Sequence, residues 1–181
     1  MEIIRDQNLA ALNTLALPAV AENYCCINSV ETLREAINYA RSKRHPITVL
    51  GGGSNVIFAK DIPGLVMHMQ LSGIELEQTD DEDVIVAVGA GENWHQLVEH
   101  TLGQGWYGLE NLALIPGYAG AAPIQNIGAY GVELKDVFHS LDAIDLHSGE
   151  PVTLKVADCE FGYRDSIFKH HYRDQLAVTR L

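Results

Sequence analysis

Residues 114–131 read LIPGYAGAAPIQNIGAYG, and the fold turns on how this stretch is understood. Glycine and alanine crowd it where a catalytic constellation would show acids, bases and thiols. What it offers a ligand is bare main chain. A glycine has no Cβ, so its N–H approaches a flat or anionic ligand more closely than that of any other residue. Pro116 and Pro123 fix φ on either side of the small-residue run, which predicts a shaped loop and not a loose linker. Gln125 and Asn126 follow with side-chain amides that donate and accept at once, as the edge of a heteroaromatic ring requires. A plain Gly/Pro surface loop is the simpler alternative. The length and apolar content of this one favour a functional loop, since long ordered loops in compact domains tend to carry function.

A second glycine turn lies upstream. Residues 22–27 read as a strand, and Ser29 is suited to cap a helix with Val30, Leu33, Ile37 and Ala40 on one face. That helix is expected to end near Arg44, where basic side chains suit the helix dipole and Pro46 forbids continuation. Residues 47–50 form a short apolar strand that leads directly into Gly51-Gly52-Gly53-Ser54-Asn55. Strand, crossover and strand make a βαβ start with a glycine turn at its carboxyl end. Successive N–H groups there can form a nest for phosphate oxygens, with Ser54 and Asn55 adding side-chain donors. Two familiar motifs are excluded: the Lys-Ser/Thr of a P-loop is missing, and Val56 stands where a Rossmann fingerprint needs its third glycine.

The remainder reads as mainly β, with strands at 65–69, 73–77 and 84–88, the last after an acidic turn at 80–83. That turn is expected to be a solvated hairpin tip, because no spaced glycine and terminal glutamate complete a calcium loop. A helix follows with Trp94, Leu97, Val98 and Thr101 on one side. His95 and His100 lack the i, i+4 spacing of a zinc pair and read as solvated or core-rim residues, so no metal site is expected. Strands at 137–146 and 152–156 flank a turn at 147–150, and 176–179 reads as another strand.

Composition narrows the function classes. A chain of 181 residues, 47% hydrophobic, is enough for one ordinary domain or two small lobes. Acidic residues outnumber basic ones 24 to 12, for a net charge of −12, so nucleic acid is a poor partner. Cys25, Cys26 and Cys159 form neither a CxxC pair nor an even disulfide framework, which fits reduced thiols in a cytoplasmic protein. The N-terminal residues carry no export signal and no run approaches membrane-spanning length, so a membrane partner is not expected.

Residues 113–131 closely resemble the flavin-contacting loop of the UDP-N-acetylenolpyruvoylglucosamine reductases, the MurB enzymes of bacterial cell-wall synthesis. The GGGSN turn is similar to the G-x-G-S-N of that family, and Asn13-Thr14-Leu15 resembles the segment that opens its flavin domain. FGYRDS, residues 161–166, resembles the segment whose arginine is assigned to catalysis. The resemblance covers essentially the whole chain but only the first part of the family's enzyme.

The resemblance implies an α+β, two-lobed FAD-binding domain of the vanillyl-alcohol-oxidase (PCMH) type, truncated, with a first lobe over 1–70, a second, mainly β lobe over 71–181, and the substrate-binding domain absent. It implies non-covalent FAD between the lobes, with Gly51, Gly53, Ser54 and Asn55 at the pyrophosphate. Ile115, Pro116, Gly117, Gly120, Ala121, Ile124 and Gly128 would surround the flavin and its ribityl chain. It implies NADPH as reductant and the enolpyruvyl ether of UDP-N-acetylglucosamine as substrate, reduced to UDP-N-acetylmuramate in peptidoglycan synthesis. Arg164 would steady the charge that builds toward the substrate carboxylate, a task suited to a side chain that stays charged and binds carboxylates through two parallel bonds. A surface ion pair of Arg164 with Asp165 is the plain alternative. Tyr163 would line the substrate site or serve as a buried aromatic, and Asp165 and Ser166 would position the turn. The family's proton-donating serine and its assisting glutamate fall in regions that would follow Leu181, so the chain alone is expected to bind without turnover. Ala121 and Ala122 stand where many relatives carry a hydroxyl. Two other readings stay open: another FAD oxidoreductase of the same fold, or a flavin-binding module without enzymatic activity.

Overall fold

The computed structural model describes residues 1–79 and 83–181. Most of the acidic turn expected at 80–83 lies outside the described residues.

The first part of the chain builds a four-stranded sheet in the order β1-β2-β4-β3. Its strands are β1 (Ile4–Asn8), β2 (Val20–Ile27), β3 (Ile47–Leu50) and β4 (Ile62–Met69). β1 runs antiparallel to β2, while β2 and β3 both run parallel to β4. β2 and β3 are the two strands of the expected crossover, and β4 is inserted between them. Helix α1 (Val30–Lys43) makes the crossover. The Ser29 side chain accepts from the Thr32 N–H at its start, and Arg44 closes it in the left-handed region at φ 56°. Its buried residues Leu33, Ala36, Ile37 and Ala40 pack with Cys25, Ile27, Leu65 and Met67 of the sheet.

The second part is mainly β. Strands β5 (Ile74–Thr79) and β6 (Val84–Val88) pair antiparallel and lead to helix α2 (Trp94–Gly103), whose buried residues are Trp94, Leu97, Val98 and Thr101. A short hairpin, β7 (Gly128–Ala129) and β8 (Val132–Glu133), turns at Tyr130 and Gly131, both with positive φ as a two-residue hairpin turn requires. The strands β9 (Ser140–Asp145), β10 (Pro151–Lys155) and β11 (Leu176–Arg180) form a sheet in the order β10-β9-β11. β6 joins its edge through the Val88 and Leu181 main chains, which exchange hydrogen bonds at 2.8 and 2.9 Å. The expected strand at 137–146 begins later because Leu134–Asp136 forms a 3-10 turn with Val137 as its C-cap.

The sheets share a core. Leu141 and Ala143 point from β9 into a cluster with Trp94, Leu97, Val98 and Phe168. Ile144, Leu146 and the β11 residue Ala177 belong instead to the cluster around α1. The alternation of β9 therefore binds the second sheet to the first through one helix. Among the described residues no helix is long and apolar enough to cross a membrane. All three cysteines are free, with Cys25 buried and Cys26 exposed on opposite faces of β2.

Leu33 is fully buried where α1 meets the core shared with the second sheet. Leu33→Ala is expected to cost about 2–5 kcal/mol, read as a lowered thermal unfolding midpoint.

Candidate functional site

β3 ends at Leu50, opposite His68 of β4, and the chain leaves the sheet as the glycine turn. The second glycine-rich segment is laid alongside the turn at 89–93: Trp94 N–H donates to Gly117 O at 3.0 Å, Ala119 N–H to Glu92 O at 2.8 Å and Gly120 N–H to Ala90 O at 2.9 Å. Trp94 Nε1 also anchors the approach to this segment by donating to Leu112 O at 2.8 Å. Two turns far apart in sequence thus face each other. Ser54 Oγ donates to Pro116 O at 3.2 Å, and Asn55 Nδ2 donates to Gln125 Oε1 at 3.0 Å.

Between them runs a cleft of two adjoining cavities, about 280 and 240 Å3, which share Val49, Gly51, Ala121 and Ile124 as lining. Gly51, Gly53, Ser54, Asn55, Ile115, Pro116, Gly117, Ala121 and Ile124 line the smaller cavity. Gly120 lines the larger. Gly128 and Tyr163 are not part of either lining. Val49, Trp94, Tyr118, Gln125 and Lys169 are among the further residues that line the smaller cavity. Among the described residues lining the cleft, Lys169 is the one cation and Asp174 the one carboxylate. Among the described residues no group of three His, Cys, Asp or Glu side chains could hold a metal ion.

The glycines serve different ends. A Cβ on Gly51 would stand 3.8 Å from the Cβ atoms of Ala121 and Tyr118, in the space between the turns. Gly53 has φ +65°, and a Cβ there would fall 2.0 Å from the Leu12 carbonyl oxygen. Its missing side chain is therefore demanded by the N-terminal segment packed behind it, whose Thr14 N–H donates to Gly53 O at 3.1 Å. Gly52 accommodates the Tyr118 ring, which a Cβ would meet at 3.1 Å.

That ring stacks on His68, with centroids 6.1 Å apart and planes at 11°. His68 is buried, and its Nδ1 lies 2.8 Å from the Tyr24 hydroxyl and 3.5 Å from Gln70 Nε2. The Tyr24 hydroxyl also lies 3.3 Å from the Cys26 thiol, so the three side chains form one hydrogen-bonded chain. Burial pushes the His68 pKa below its ordinary value of 6.5. Burial, and after it the bond to Cys26, pushes the Tyr24 hydroxyl upward. Nothing in the sequence pairs these residues, because the β2–β4 register brings them together.

Asn126 departs from the expectation that its amide faces a ligand. It adopts the left-handed conformation at φ 44° and is fully buried, its Nδ2 donating to Gly162 O at 2.9 Å and its Oδ1 accepting from Lys135 N–H at 3.0 Å. The chain reversal at this residue carries the amide away from the cleft, while Gln125 remains in its wall.

Tyr163 and Arg164 form the tip of a tight turn closed by mutual main-chain bonds between Gly162 and Asp165, at 3.0 and 3.2 Å. Arg164 has φ 54°, its Nη2 donates to Gly128 O, and its carbonyl accepts from Lys169 Nζ at 2.6 Å. Asp165 pairs with His170 at 2.8 Å, so the Arg164–Asp165 ion pair does not form. The bond from His170 is the main cause holding the Asp165 carboxyl below the usual range. Among the described residues no carboxylate pairs with Arg164. Tyr163 is 83% exposed beside it and is not a buried aromatic.

The fold and cleft define a flavin-binding domain, and residues 21–155 match the FAD binding domain family, to which the chain belongs. The chain is 47% identical over 175 residues to the UDP-N-acetylenolpyruvoylglucosamine reductase of Chromobacterium violaceum, covering 96% of this chain and 51% of that protein. It spans about half the length of the curated relatives it matches. Among solved structures, the crystal structure of UDP-N-acetylenolpyruvylglucosamine reductase (MurB) from Thermus caldophilus superposes with a TM-score of 0.73 at 28% identity, over 99% of this chain and 59% of that one. The 6-hydroxy-D-nicotine oxidase of Arthrobacter nicotinovorans shares the fold, with a TM-score of 0.63 at 18% identity over 87% of this chain and 36% of that one. The architecture is the α+β flavin-binding fold of the vanillyl-alcohol-oxidase type.

Gly53→Ala is expected to lose about 1–2 kcal/mol from the left-handed backbone alone, with the Leu12 contact adding to it, and a thermal unfolding curve measures the loss. The depressed His68 pKa means that the folded state binds fewer protons than the unfolded one below about pH 7. Stability is therefore lost as pH falls through the ordinary histidine value. Wild type is expected to lose more stability than His68→Gln between pH 7 and 5, as denaturant titrations at each pH will show.

Proposed function

We propose that the chain supplies the FAD-holding part of a UDP-N-acetylenolpyruvoylglucosamine reductase, which reduces the enolpyruvyl ether of UDP-N-acetylglucosamine with NADPH in peptidoglycan synthesis, in the cytoplasm. The observation that carries this reading is the convergence of the 51–55 and 115–125 turns on one cleft. Its walls are mostly main chain, small and apolar side chains, aromatic rings and uncharged amides, with Lys169 the one cation and Asp174 the one carboxylate among the described lining residues. Such a surface suits a flat ring system joined to a pyrophosphate, because oriented N–H groups bind the phosphates and close backbone approach accepts the ring. The residues present therefore fit FAD.

In this reading Gly51, Gly53, Ser54 and Asn55 hold the pyrophosphate, with Ser54 and Asn55 exchanging their bonds to Pro116 and Gln125 for phosphate oxygens. Ile115, Pro116, Gly117, Gly120, Ala121 and Ile124 surround the flavin and ribityl chain. Gly128 acts from behind, through the carbonyl that holds Arg164. When bound, FAD supplies hydride transfer, which no side chain of the cleft can perform. Arg164, charged and without a carboxylate partner among the described residues, binds the carboxylate of the enolpyruvyl group and stabilises the negative charge that develops there. Tyr163, exposed on the same turn, lines the substrate site in this reading. No side chain of the cleft is assigned as proton donor in this reading, and the 181 residues by themselves are taken to bind flavin without turnover.

No histidine or cysteine is among the described residues lining the cleft. The purified chain is expected to take up FAD with a visible flavin spectrum and to release all of it on denaturation. Flavin left on the denatured polypeptide would reject the non-covalent site. Gly51→Leu is expected to weaken FAD binding by about tenfold or more, equivalent to about 1.4 kcal/mol, with little change in unfolding midpoint. Unchanged retention in a flavin-fluorescence titration would move the cofactor out of this cleft.

A further inference from the structure

The turn that carries Arg164 is held by the glycine-rich loop through three hydrogen bonds spaced two residues apart. Ser166 Oγ donates to Ile124 O at 2.7 Å, Asn126 Nδ2 donates to Gly162 O at 2.9 Å, and Arg164 Nη2 donates to Gly128 O. The middle bond differs from its neighbours. Arg164 contributes the end of a long, exposed side chain, whereas Asn126 is fully buried. Both heteroatoms of the Asn126 amide end on main chain, because its Oδ1 also takes the Lys135 N–H. Its left-handed backbone is anchored as well, by the Asn126 N–H donating to Pro123 O at 3.3 Å. No rotation of this side chain can keep one bond and find a substitute for the other.

We propose that Asn126 is a positioning residue that fixes the 162–165 turn, and with it the Arg164 guanidinium, to the back of the loop whose front lines the cleft. The proposal rests on the reading in which Arg164 meets the substrate carboxylate and the cleft takes FAD. Among common residues the site requires an amide. Aspartate keeps the acceptor for Lys135 but sets a carboxylate oxygen against the Gly162 carbonyl, and alanine removes both bonds, leaving Gly162 O with only its long bond from the Asp165 N–H at 3.2 Å. Loop and turn then move as one body. A ligand that orders the loop must order the arginine turn by the same coupling free energy.

The test is hydrogen exchange at the Gly162 and Asp165 amides of the 181-residue chain, read with the 15N resonance of the Arg164 side-chain N–H. In wild type both amides are expected to be protected and the arginine signal to differ from that of a solvated guanidinium. In Asn126→Asp, exchange at these two positions is expected to rise about tenfold or more, and the arginine signal to collapse to the solvated value, with the amides of α1 unchanged. Acceleration spread evenly over the chain, or no change at residues 162 and 165, would overturn the proposal. Ser166→Ala, which removes the neighbouring bond and keeps Asn126, is expected to leave the turn protected. A turn freed in Ser166→Ala would overturn the assignment to Asn126, and this arm holds even if Asn126→Asp does not fold. Added FAD is expected to slow exchange at 162 and 165 in wild type and to leave Asn126→Asp unaffected although flavin binds. A wild type that takes up no FAD would reject the cofactor reading by itself, while the exchange comparison between variants would still decide the role of Asn126.

Discussion

At several points around one cleft, stretches of main chain lie closer to their neighbours than a Cβ would allow, and the architecture depends on the side chains missing there. Gly120 is seated where a Cβ would stand 2.5 Å from the Ala90 Cβ. Gly52 gives its space to an aromatic ring, and Gly53 to a carbonyl of the N-terminal segment. These close approaches let strands from both parts of the chain end at a common edge. The helix between the sheets supplies the remaining constraint, because its apolar face is completed by residues of both. Packing fixes how the parts meet, and the glycines allow the meeting to be close.

Much of this was legible in the sequence, for identifiable reasons. Ile47–Leu50 is bounded by a proline and a glycine run, and α1 by a hydroxyl cap and a basic end, so their limits are written in local chemistry. The apolar spacing of Trp94, Leu97, Val98 and Thr101 forecast the buried side of α2. Residues 4–8 gave no such sign. That strand lies at the edge of its sheet with most side chains exposed, so it carries no burial pattern and owes its form to pairing with β2. The placement of β4 between β2 and β3 was equally hidden, since strand order is settled by long-range pairing and not by periodicity.

The site divides in the same way. The turns at 51–55 and 115–124 could be recognised because a run of residues without bulky side chains limits what a segment can be. The Cys26–Tyr24–His68 chain beneath Tyr118 could not, because it depends on which residues of parallel strands fall side by side. The direction of Asn126 was also beyond reach, as one left-handed residue reverses what its side chain faces. Charge offers a further lesson: the chain has a net charge of −12, yet its cleft suits an anionic ligand. Oriented main-chain dipoles act over a few ångströms, so local recognition of an anion does not require a favourable overall field.

The inserted position of β4 has a bearing on how the polypeptide matures during synthesis. During synthesis β1 and β2 can close their antiparallel ribbon as soon as both have emerged, but β3 has no partner until residues 62–69 have followed. The helix between β2 and β3 must wait with an uncovered oily side, and the glycine turn that follows β3 has no fixed geometry during that interval. The later sheet delays closure further, because β6 completes its main-chain pairing with residues 179–181. Nascent chains halted before those residues would therefore present sticky, half-built surfaces, with an unpaired strand edge and an uncovered apolar helix face open to association.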